Sequence, residues 1–188
     1  MSRLNSNGSS VTDIIGVVPD KFLDGGNPRA FSFPELGAET FLAGEMVCLS
    51  GGTGTNRIGL TKPGTDASGY GIVGFAADNA SGVTSGFKGV WIATPDTIFV
   101  GNVNHNSTSS TGITAAVDVG RLYGLTSLSG RTYVDKSKTA TSTVMCRVLG
   151  LHEADTVGTF QGKVYFQVLA PNYQLINNSL VTGSGLAV

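Results

Sequence analysis

Charge is scarce in this chain. Only 13% of its 188 residues are Asp, Glu, Lys or Arg, about half the usual ~25% share, and the net charge is −1. Lys and Arg stand singly, so there is no basic stripe to neutralise a phosphate backbone, and nucleic acid is not expected as a partner. Long apolar runs are missing as well. None approaches the roughly 20 residues that span a bilayer, and no membrane partner is expected. The opening MSRLNSNGSS lacks the apolar stretch of a secretory signal, which points to synthesis in a cytoplasm. Histidine is present only as His105 and His152, too few for the histidine-rich zinc sites. Cys48 and Cys146 are far apart inside apolar alternating runs, with no C-x-x-C. In a reducing compartment they read as buried free thiols rather than a disulfide.

Catalytic signatures are absent too. There is no G-x-S-x-G elbow; the nearest string, Asn79-Ala80-Ser81-Gly82, lacks the leading glycine. Gly51-Gly52-Thr53-Gly54-Thr55-Asn56 is glycine-rich but lacks the phosphate-loop lysine and a following helix, and reads as a flexible hairpin connection. No calcium-loop pattern occurs. His152, Glu153 and Asp155 gather three potential metal ligands in a turn after a strand, where a solvated turn is the simpler reading. Carboxylate pairs for glycoside cleavage cannot be judged from sequence spacing, but the 13 acidic residues fall mostly in turns and read as solvent-facing. The expectation is a chain that is not an enzyme, with no catalytic residue, no metal site and no cofactor.

What remains is a glycine-rich, moderately apolar composition: 27 glycines, 40% hydrophobic residues and a mean hydropathy of +0.14. That is too apolar for disorder. With so little charge, part of the surface is expected to be covered by a partner or by further copies, an ordinary neutral β-domain being the alternative. Short apolar runs alternate with Gly, Asn, Asp and Pro, with turn signals roughly every eight to twelve positions. Val47 and Leu49 share one strand face, Met46 and Cys48 the other. Ile58 with Leu60, Val90 with Ile92, and Ile98 with Val100 share faces in the same way. Further strands are expected at 113–119, 122–125, 132–135, 143–151 and 163–169. The fold class is therefore all-β, a compact antiparallel barrel or sandwich of about eight to ten strands over residues 37–171.

Residues 1–36 have a different texture. Pro19, Pro28 and Pro34 interrupt a segment carrying Ile14, Ile15, Val17, Val18, Phe22, Leu23, Phe31 and Phe33. The prolines remove donors and force extended backbone, so neither a helix nor a central strand fits. An extended N-terminal arm studded with apolar anchors is expected, lying on its own body, on a neighbouring copy or on a foreign surface. Its removal should then leave a folded body. The tail 172–188 is a second arm or a closing strand. Trp91, out of phase with Val90 and Ile92, either points outward as an anchor or lies in a strand covered on both faces.

Three stretches together, GEMVCLSGG…IGLT, YGIVGFAADNASG and DVGRLYGL…RTYVDKS…VMCRVLGLHEADTVGTFQGKVYFQVL, resemble the small β-proteins that decorate tailed-bacteriophage capsids, the cement or stabilisation proteins. The resemblance covers residues 44–169 and is one of texture and order. It implies a β-barrel or β-tulip-like body, a homo-oligomer with the trimer favoured, on the outer capsid surface of the virion. It also implies bridging of neighbouring major capsid protein subunits, with the arm reaching over them. Ile14, Ile15, Val17, Val18, Phe22, Phe31, Phe33 and Trp91 are the expected partner-binding residues. Another virion part, such as a tail or head-fibre subunit or a glycan-binding receptor module, is the alternative.

Overall fold

A computed structural model describes residues 3–4, 10–11, 16–37, 39–51, 58–63, 71–82, 86–104, 112–173 and 175. Ile14, Ile15, His105 with its polar loop, nearly all of the glycine-rich loop and the tail beyond residue 175 lie outside the described residues. The chain is all-β. A short antiparallel pair, β1 (Arg3–Leu4) and β2 (Ser10–Val11), precedes two larger antiparallel sheets. The first sheet is formed by β3 (Val18–Phe22), β9 (Thr97–Asn102), β10 (Leu122–Leu128), β11 (Arg131–Asp135), β12 (Cys146–Leu151) and β13 (Lys163–Val168), in the order β11-β10-β12-β13-β9-β3. The second is formed by β4 (Ala30–Pro34), β5 (Met46–Gly51), β6 (Ile58–Thr61), β7 (Gly74–Ala76) and β8 (Phe87–Ile92), in the order β4-β8-β7-β5-β6.

Both sheets curl, as twisted antiparallel sheets do. In the first, a parallel bridge joins Val103, just after β9, to Val134 of β11, and Asn104 N donates to Val134 O at 2.7 Å. In the second, Glu35 after β4 bridges Leu60 of β6. The architecture is sandwich-like, and curling gives it two cores instead of one. Because side chains alternate along a strand, successive residues of the second sheet serve different cores. Met46, Ile72 and Phe75 enter the main core shared with the first sheet; Val47, Val73 and Ala76 enter a smaller core inside the second. At the centre of the main core the rings of Phe75, Phe99 and Phe166 meet, with Phe75 edge-on to Phe99 at 4.7 Å and to Phe166 at 6.0 Å.

Two close approaches require glycine. A Cβ on Gly74 would stand 1.9 Å from the carbonyl oxygen of Trp91, so β7 and β8 reach this spacing only with hydrogen there. Gly44, at φ +84° in the turn before β5, would meet Gly16 Cα at 2.3 Å, and Val17 N donates to Gly44 O at 3.2 Å.

Two expectations change. From residue 16 the expected arm is part of the body: β3 pairs with β9 and β4 with β8, each at the outer edge of its sheet. The prolines fit these positions, since an edge strand has one side on which a missing N–H costs no ladder bond, and the β3 register shifts just after Pro19. The expected strand at 113–119 is instead a loop with a 3₁₀ turn at Ala116–Asp118, because Asp118 Oδ2 takes the Ala115 N–H that a strand would offer a neighbour. Asp78 Oδ2 accepts from Gly89 N and Asn79 Oδ1 from Ala43 N, both at 2.8 Å, so they fasten β8 and the loop before β5.

Candidate interaction surfaces

Two buried carboxylates, Asp118 and Asp135, are held in closed networks. Asp118 is buried at the base of the 112–121 loop, where it accepts from Ala115 N, Tyr123 Oη (2.8 Å) and Lys136 Nζ (2.7 Å). Lys136 also donates to Ile113 O at 2.6 Å. Asp135 accepts from Asn104 Nδ2 and from Ser137, tying the end of β11 to the end of β9. Both cysteines are free and buried. Burial, with the Glu39 charge adding to it, pushes the Cys48 thiol up to about 11, and burial pushes Cys146 up as well. Neither carries the thiolate that nucleophilic chemistry needs.

The His152–Asp155 turn spends its groups on itself and on β13. Ala154 N donates to His152 Nδ1, the His152 ring stacks on Tyr165, Tyr165 Oη donates to Glu153 Oε2, and Asp155 Oδ2 accepts from Lys163 N. The Tyr165 hydrogen bond holds the Glu153 carboxyl below its ordinary range. Among the described residues no three His, Cys, Asp or Glu side chains are grouped as metal ligands. No helix among them is long and apolar enough to cross a membrane.

The expected partner-binding residues are dispersed. Val17 is fully buried in the main core, because its N–H anchors it to Gly44 O and turns its side chain inward. Trp91 packs against that core, since β8 is covered on both faces: Val90 on one side fills the smaller core while Trp91 on the other meets the main one. Phe33 rests against the smaller core, and Phe22 is half-buried over the turn closed by its N–H to Gly26 O. Val18 lies at the margin of exposure, and Phe31 is 55% exposed on β4.

Two surfaces display apolar side chains. On the β4–β8 pair, Phe31 and Phe87 (63% exposed) project from opposite sides, because Phe31 stands opposite Val90 while Phe87 stands opposite Pro34. Leu23, in the turn after β3, is 60% exposed. The other surface is made by the 112–122 and 152–162 loops, which carry Val117, Val119, Leu122, Val157 and Phe160 outward. Sequence reasoning passed over Phe87 and all five of these. Their one signal was large apolar residues inside turn-rich stretches such as HEADTVGTFQ, where burial by alternation cannot be assumed. No family model, curated protein or solved structure compared with the chain matches it.

Proposed function

We propose that the chain is a structural virion protein that binds the outer surface of a phage capsid and bridges neighbouring major capsid protein subunits. The observation that carries this reading is Phe31 and Phe87, exposed on either side of an outer strand pair whose backbone is fixed by the ladder between them. Aromatic side chains on a rigid element lose little freedom on docking and are the residue type that dominates protein interfaces. Low charge over the whole chain agrees with a surface meant to be partly covered. Many copies on one shell would add avidity to a modest single contact. A subunit that binds only the expanded shell would favour that form, as any ligand favours the state it contacts. The glycan-binding alternative leaned on an outward Trp91, and a ring packed on the main core lends it less support.

Co-sedimentation of the purified chain with undecorated shells of its parent virus tests the proposal. Saturable binding at a fixed ratio to capsid protein is expected. Phe31→Asp and Phe87→Asp should each weaken it at least about tenfold with the fold intact by circular dichroism. No binding to expanded shells would turn the assignment to the tail or to a host receptor.

A further inference from the structure

Each large sheet curls until strands that are not neighbours in it touch, and both closures are single parallel bridges of the same pattern. In the first sheet Val103 bridges Val134, and Asn104 N donates to Val134 O at 2.7 Å. In the second Glu35 bridges Leu60, and Leu36 N donates to Leu60 O at 3.1 Å. A buried carboxylate stands at each closure, and the two are accommodated in opposite ways. Beside Val134, Asp135 accepts from Asn104 Nδ2 at 2.8 Å and from both N and Oγ of Ser137, so its charge fastens the seam. Glu35 lies against Gly86, where a Cβ would stand 2.7 Å from Oε1, and neither carboxylate oxygen has a hydrogen-bond partner among the described residues. Lys88 Nζ is 3.8 Å from Oε2, beyond hydrogen-bonding reach, and its side chain is partly in solvent.

Sequence also keeps the second seam short. A parallel ladder running back from Glu35 and Leu60 would next set Phe33 beside Ile58, and would need the N–H of residue 34. That residue is Pro34, which has none. β4 and β6 are therefore held at one end only, by a contact that shuts an unsolvated charge into the fold. Separation breaks few hydrogen bonds, and it returns water to Glu35, which a buried carboxylate without partners strongly favours. We propose that the β4–β6 closure is a latch, opening and shutting in the folded protein while the Val103–Val134 closure stays shut. In the open form β4 keeps its ladder to β8, and β6 its ladder to β5. What the latch controls is access to the smaller core. Leu60 belongs to that core and Phe33 rests against it, so opening uncovers apolar side chains that the shut form covers. The latch is a property of the chain alone and does not depend on the capsid reading.

Native-state hydrogen exchange of the full chain, followed amide by amide in dilute urea and corrected for intrinsic rates, tests the latch. The Leu36 amide is expected to exchange at least about a hundredfold faster than that of Asn104, with almost no dependence on urea. The Glu35 amide, which donates to Gly86 O on the other side of the same segment, should stay slow. Glu35→Met removes the unsolvated charge while keeping the side chain's bulk, and should slow Leu36 exchange by roughly tenfold or more. Pro34→Ala restores the missing donor, so Leu36 should slow and the amide at position 34 should itself be protected. A Leu36 amide as slow as that of Asn104, or with the same urea dependence, would overturn the latch. So would a Glu35 amide as fast as Leu36, or Leu36 exchange that neither variant slows. Shell binding is measured separately, and neither result decides the other.

Discussion

Two buried carboxylates show how differently one residue type is accommodated. Asp118 has three donors, including the Lys136 ammonium at 2.7 Å, with the side chains of both partners nearly or fully buried. Glu35 is wholly buried, yet neither of its oxygens accepts a hydrogen bond, and Lys88 Nζ is 3.8 Å away with its own side chain partly in solvent. Removing Asp118 strands a buried ammonium, so Asp118→Ala should cost about 3–5 kcal/mol in urea denaturation. Glu35→Gln removes a charge that the fold satisfies poorly, and should change stability by less than about 1 kcal/mol or raise it. Alkaline pH acts on the same kind of group. Burial pushes Tyr123 and Tyr173 up to about 12, the hydrogen bond to Asp118 adding to the effect at Tyr123, while burial takes Cys48 from 9.0 to about 11. The unfolded chain therefore releases these protons first and the folded chain holds them longer. Their contribution is fully present below pH 9 and is lost between about pH 9 and pH 12. Denaturation midpoints should accordingly be flat from pH 7 to 8.5 and fall steeply above pH 9.5.

At the scale of elements, outer strands and close contacts carry the fold's weak points. β3 and β4 cover β9 and β8, and Val17, just before β3, plugs the main core. A chain lacking residues 1–36 should therefore fail to reach a cooperatively folded state, shown by a lost thermal transition and exposed apolar surface to a hydrophobic dye. A truncated chain with the parental midpoint would mean that both strands are accessory. This is why shell binding is better tested by Phe31→Asp than by truncation. β7 is the opposite case, only 3 residues long but central, with Gly74 against the Trp91 carbonyl. Gly74→Ala should cost at least about 3 kcal/mol, because the obstacle is backbone and cannot turn aside.

For the molecule as a whole, the two cores are coupled through shared strands. β5 and β7 send neighbouring side chains into each, so neither core can open without disturbing strands that line the other. Phe166→Ala, in the main core alone, should lower stability by about 3–5 kcal/mol while leaving a single unfolding transition. Two separate transitions would show that the cores melt independently.

Alternation at Met46–Leu49, the glycine and proline punctuation, and the lack of any helical period were enough to specify an all-β chain, because they are local consequences of backbone geometry. Buried free cysteines were equally legible. Which core each face would line was not readable, since curling is a property of paired strands. Trp91 shows this: its phase relative to Val90 was plain, but only the stacking of two sheets covers both sides of β8. Val17 and Phe31 looked alike in a proline-broken segment, and strand pairing alone turned one inward and left the other exposed. The apolar loop surface emerged last, because Asp118 and Lys136 lie 18 residues apart and their pairing is what fixes the loop that displays Val117. Local periodicity made the strands, and long-range contacts that no local window contains decided which side chains were left for other molecules.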